Sequence, residues 1–125
     1  MNCKKIFLSL ALCLLCSPGA FARDYLDELT AHVRSVMDKH KPDVKGKIFI
    51  RLDKKGNLIK SHMLIESMGS DDKDDLKELL NACKPFKAPP KAYQSTCCFK
   101  MTIVSNKHSQ SSYIEYLVKV PKVLK

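Results

Sequence analysis

Two short runs of alternating residues, 47–53 and 58–67, meet across Asp53-Lys54-Lys55-Gly56-Asn57, and this junction limits the folds open to the chain more than any other feature. In the first run Ile48, Ile50 and Leu52 alternate with Lys47, Phe49, Arg51 and Asp53. In the second, Ile59, Met63 and Ile65 share one parity. A period of two places successive side chains on opposite faces of a strand. The intervening residues are turn formers, and Gly56 can take the positive φ that a tight reversal needs. The pair therefore reads as a β-hairpin with one apolar face. Phe49 falls on the opposite parity, either beneath the first helix or within an exposed binding patch. A hairpin is marginal by itself, so its apolar face requires a cover.

The flanking segments supply one. Over 25–40, Leu26, Leu29, Val33, Val36 and Met37 recur at helical spacing, with Asp24 placed to cap the start and Pro42 to stop continuation. A second helix is expected over about 71–83, where Leu76, Leu79, Leu80 and Cys83 form one face. Asp71, Asp72, Asp74 and Asp75 crowd its first turn. They suit the positive end of the helix dipole, and they lack the Gly and Glu spacing of a calcium loop. Pro85, Pro89 and Pro90 end this helix and make 84–91 an extended connector. A third strand follows over about 96–105, with Cys97, Phe99, Met101 and Ile103 toward the core. After a polar loop at 106–112, the segment 113–120 reads as a fourth strand or an appendage. The expected class is α+β: a small antiparallel sheet of three or four strands with two helices packed on it.

The first residues stand apart from this domain. Lys4 and Lys5 precede an apolar run, 6–16, that Ser17-Pro18-Gly19 interrupts before Ala20-Phe21-Ala22. That is the pattern of a cleavable signal peptide, 1–22, which leaves 23–125 as the domain: a core, 23–105, and a C-terminal extension, 106–125. No later segment approaches the roughly 20 apolar residues of a membrane span. The expectation is a periplasmic or secreted protein with no stable membrane insertion after cleavage. The formal net charge is +9, but the lysines are scattered and not interleaved with aromatics. Together with export, this argues against nucleic acid as a partner. His32, His40, His62 and His108 are dispersed, and no metal-ligand or nucleophile spacing occurs. No enzymatic activity and no cofactor are expected.

Local motifs now line up. Gly46-Lys-Ile-Phe-Ile-Arg-Leu-Asp-Lys-Lys-Gly56, then Ser67-Met-Gly-Ser-Asp-Asp-Lys-Asp-Asp-Leu76, then Ala82-Cys-Lys-Pro-Phe86 with Pro89-Pro90, resemble in order and spacing the TonB C-terminal and TolA domain III families. The resemblance covers about 25–105. It implies a domain that binds a partner by strand addition at the edge of its last core strand. Carried onto this sequence, that edge comprises Cys98, Phe99, Lys100, Met101, Thr102, Ile103 and Val104, with Lys100 and Thr102 facing outward to tune selection. The competing arrangement has 113–120 covering this edge. Energy-transducing members of these families carry a membrane anchor and a long spacer, neither of which reads here, so the expectation is a stand-alone exported binder. Its partner would be an envelope protein or an extended peptide segment. A homodimer through a free edge strand or through Cys98 is a further option. The alternative function is an exported inhibitor or effector that blocks an enzyme or toxin.

Of six cysteines, Cys3, Cys13 and Cys16 fall in the leader. Cys83, on the apolar face of the second helix, and Cys97, of core parity on the third strand, form the expected disulfide in an oxidising compartment. Cys98 would then point outward. Pairing of Cys83 with Cys98 and three free buried thiols are the alternatives.

Overall fold

The computed structural model describes residues 18–66 and 72–125, with side chains from residue 24 onward. The apolar run at 6–16 and the expected turn at 67–70 lie outside the described residues, as does Asp71. The chain forms α1 (Pro18–His40), β1 (Val44–Leu52), β2 (Leu58–Ile65), α2 (Asp72–Cys83), β3 (Cys98–Ser105) and β4 (Gln110–Leu117). Short 3-10 helices occupy Lys91–Tyr93 and Lys122–Leu124. The strands make one antiparallel sheet in the order β2-β1-β3-β4. This is a small α+β fold, and the segment after 105 contributes a true fourth strand.

Both helices lie on one face of that sheet. α1 presents Tyr25, Leu29, Val33 and Met37, a stripe at four-residue spacing, all buried. It packs over β4, while α2 packs over β1 and β2 with Leu76, Leu79, Leu80 and Cys83 inward. Ile48, Ile50, Phe99, Met101 and Ile103 fill the sheet side of the same core. α1 begins earlier than its apolar pattern implies. Asp24 lies inside the helix and not at its cap, because Ala20, Ala22 and Arg23 are good helix formers that extend it back to Pro18, a residue suited to a first helical position. Lys41, at φ 45°, and Pro42 end it as expected.

Two glycines set how closely the layers meet. At Gly46 a Cβ would stand 2.6 Å from the Leu64 carbonyl oxygen and 3.0 Å from Leu76 Cδ1, so its absence lets α2 settle on β1. Gly56 takes φ +96°, and a Cβ there would collide with the Phe86 carbonyl. The hairpin turn therefore packs against the Pro-rich connector. Within the turn, Asp53 Oδ1 accepts the N–H groups of Lys55 at 2.8 Å and Asn57 at 2.9 Å, while Asn57 Nδ2 donates to Oδ2. Just past it the register slips between the pairs Arg51–Lys60 and Leu52–Leu58. Ile59 is the extra residue of this β-bulge and is 60% exposed, although its parity in sequence points inward.

Gly56→Ala is expected to destabilise the domain by about 1–3 kcal/mol, read as a lower urea midpoint, because the left-handed backbone and the Phe86 carbonyl both oppose a side chain. The Asn57 side chain and the turn amides hold the Asp53 carboxyl below its ordinary pKa. A carboxylate lowered in the folded state stabilises above its unfolded pKa, and that contribution disappears as pH falls through the lowered folded value. NMR titration should show the depressed Asp53 pKa. Asp53→Asn should flatten this part of the acid unfolding profile.

Candidate functional site

β3 is an interior strand. Its odd residues bond to β1 and its even residues to β4, in unbroken register from Cys98–Leu117 to Ser105–Gln110. The expected open edge at Cys98, Phe99, Lys100, Met101, Thr102, Ile103 and Val104 is therefore filled by the chain itself. The reason lies in the loop. Asn106 N donates to the Ser109 carbonyl, and Asn106 Oδ1 accepts the N–H groups of His108 and Ser109, closing a tight reversal. Gln110 onward then returns along β3, three residues earlier than the side-chain pattern indicates. Phe99, Met101 and Ile103 are core residues. Lys100, Thr102 and Val104 face the opposite side of the sheet, where Lys100 pairs with Glu115 at 2.7 Å.

The cysteines also depart from expectation. Cys83, Cys97 and Cys98 are free thiols, all buried. Cys97 sits at φ 53°, its N–H bonded to the Tyr93 carbonyl and its own carbonyl accepting from Leu52. Its sulfur lies 3.8 Å from the Gln94 carbonyl, and the structure has no Cys83–Cys97 disulfide. Burial pushes the Cys83 thiol up to about 11. Cys98 does lie on the far face of the sheet, but it is fully buried, with Sγ donating to the Thr96 carbonyl at 3.3 Å.

Cys98 neighbours a residue that holds the end of the chain. The Cα partners of Cys98 across the sheet are Leu117 on β4 and Arg51 on β1, and Arg51 in turn faces Lys60 on β2. Arg51 Nη1 donates to the Leu124 carbonyl at 3.3 Å, and Lys60 Nζ donates to the Lys125 carbonyl. Leu124 is fully buried. Residues 118–125 thus form a strap across one end of the far face, while Phe49, His62, Leu64 and Tyr113 remain on the rest of it. Phe49 is half-buried beside the His62 ring, 6.4 Å between centroids, and not beneath α1.

The sheet edges are β2 and β4. Along β2, the Glu66 N–H donates to the Lys45 carbonyl. With the β1–β2 register this makes Lys60, His62 and Leu64 the residues whose backbone groups bond to β1. The N–H and C=O groups of Ser61, Met63 and Ile65 therefore point away from the sheet, with no partner among the described residues. A groove of about 380 Å³ runs beside Ser61 and Met63, between β2 and α2. Its helix side carries Lys73, Lys77, Asn81 and Lys84, and its strand side Ser61 and Met63. No reading of the side-chain pattern alone singles out this edge, although the lysines at 73, 77 and 84 already share a helical face.

A second groove, about 540 Å³, lies between α1 and the connector. Its polar groups bond to each other: Tyr25 Oη donates to the Lys87 carbonyl at 2.9 Å, His32 Nε2 donates to the Cys83 carbonyl at 2.7 Å, and Lys87 pairs with Glu28 at 2.7 Å. Burial, with the nearby Cys97 sulfur, pushes the Tyr25 hydroxyl up to about 12. These groups tie α1 to the connector. No group of three or more His, Cys, Asp or Glu among the described residues could hold a metal, and no helix among them is long and apolar enough to cross a membrane.

No protein-family model, curated protein or solved structure matches this chain. The likeness to TonB and TolA domains thus stands on the order of its motifs.

The native domain, exposed to iodoacetamide without reductant, should leave Cys83, Cys97 and Cys98 unmodified. Denaturation without reductant should then open all three to alkylation. Retention of two unreacted cysteines until a reductant is added would establish a disulfide instead.

Proposed function

We propose that this protein is a periplasmic protein-interaction module, similar in role to TonB and TolA C-terminal domains, that binds an extended segment of a cell-envelope protein as an added strand. The leader pattern at 1–22 supports export. The observation that carries the reading is the β2 edge, where the outward N–H and C=O groups of Ser61, Met63 and Ile65 alternate with the groups bonded to β1. An extended segment laid along β2 would satisfy them by continuing the sheet, with affinity drawn from main-chain bonds and selectivity from side chains in the adjoining groove. Docking therefore belongs on β2, at the opposite side of β1 from the strand that the sequence motifs single out.

Proline tests this directly, because it removes a donor only where the donor points. Ser61→Pro deletes an outward N–H and should keep the melting temperature within about 8 °C of the parent. It should abolish recovery of the envelope partner that the tagged parent protein captures and that cross-links to β2. His62→Pro deletes a ladder bond to Phe49 and should cost about 1–3 kcal/mol of stability. A folded Ser61→Pro protein that captures the same partner at parental yield would remove β2 from the reading.

A further inference from the structure

The groove beside β2 has a charge pattern that specifies more than an open edge. Lys73, Lys77 and Lys84 line it, no acidic residue does, and none of the three lysines has an ion-pair partner among the described residues. All three are exposed on α2 and the residue following it. Their offsets of four and seven residues keep them on one helical face. Leu76 lies over Gly46, the partner of Ile65, and Phe86 lies against Gly56 in the hairpin turn, so Lys73 lies toward the Ile65 end of β2 and Lys84 toward the Leu58 end.

The spacing is the telling point. Four helical residues advance about 6 Å along the axis. Two residues of a strand advance about 6.6 Å, and side chains two apart share a face. Lys73, Lys77 and Asn81 thus repeat along the groove at nearly the interval of alternate residues in an extended chain, and Lys84 follows three residues on, about 4.5 Å further. A fifth strand beside β2 would turn every second side chain toward α2, over Met63 and against these lysines.

We infer that the occupant of the β2 edge is an extended acidic segment, in which Asp or Glu recurs at every second position and faces Lys73, Lys77 and Lys84. This inference rests on the strand-addition reading and names its partner chemistry. Exposed ion pairs contribute little individually, so the lysines act as a set that chooses register and face, while the main-chain bonds of Ser61, Met63 and Ile65 hold the strand. The carboxylates must alternate. A segment with the same charge but its acidic residues adjacent would turn half of them to the other side of the sheet, where Lys47 and Lys100 already pair with Glu66 and Glu115.

Three capped nine-residue peptides test this against the mature protein: one alternating glutamate and threonine, one of the same composition with the glutamates in a block, and one with serine for every glutamate. Affinity is read by calorimetry, and the site by amide exchange of the labelled protein. The alternating peptide should protect the Ser61, Met63 and Ile65 amides and bind at least tenfold more tightly than the other two. Lys73→Glu, Lys77→Glu and Lys84→Glu together should remove that advantage without changing the melting temperature by more than a few degrees. Equal binding of all three peptides with those amides protected overturns the acidic preference and leaves strand addition standing. Equal binding of the two acidic peptides without protection reduces the lysines to unspecific attraction and overturns the inference. Protection at β4 and not β2 overturns both the inference and the choice of edge.

Discussion

Everything in this domain hangs on the pairing of β1 with β3. The two strands lie far apart in sequence, yet they pair without a break from Val44–Ser105 to Arg51–Cys98. β1 is thereby hydrogen-bonded on both sides, and its inward residues Val44, Ile48, Ile50 and Leu52 are buried. The hairpin to β2 and the hairpin from β3 to β4 are local and inexpensive to close. The β1–β3 contact must instead close a long loop that contains α2 and the connector. Two features favour it. Leu76 of α2 reaches the sheet over Gly46, and the connector packs against the hairpin turn at Gly56. Tyr25, Tyr93, Phe99 and Tyr116 then join α1, the connector, β3 and β4, with ring centroids between 4.5 and 6.0 Å apart.

That central pairing also decides where the molecule can bind. With β1 and β3 inside, only β2 and β4 offer backbone groups to a partner. The Cys98 end of β3 is paired on both sides, with β1 and with β4. The strap is held through Arg51 and Lys60, which are neighbours across the sheet. A cation at each of these positions therefore serves the fold, whereas Lys73, Lys77 and Lys84 serve no ion pair within the described residues. The difference between the two groups separates the basic residues that hold this structure from those available to a ligand.

The thiols follow from the same geometry. A strand start fixed by backbone bonds from Tyr93 and Leu52 leaves Cys97 little freedom, and its left-handed backbone turns the side chain toward Gln94. Parity correctly places Cys97 toward the core and Cys98 on the other face. It carries no information on what covers that second face. Cys98 is nonetheless fully buried there, and Cys83 and Cys97 pack in the core as free thiols.

Much of the architecture was written in short-range patterns. The period of two in 47–53, the turn around Gly56 and the leucines of 76–80 each encode a local preference that survives packing, because burial rewards the same faces that the periodicity defines. The core residues Leu29, Val33, Ile48, Ile50, Phe99 and Met101 were legible for that reason. Edge status was not, since whether a strand is interior depends on which distant segment pairs with it and not on its own residues. Local pattern makes 98–104 a strand; only the fold-back of 110–117 makes it an interior one. Likewise, Lys73, Lys77 and Lys84 are simply an exposed helical face until α2 is laid beside β2. The sequence determines the elements and their inward faces through local sterics and hydrophobic period. The tertiary structure alone determines the open edge, because an edge is defined by the neighbour a strand lacks.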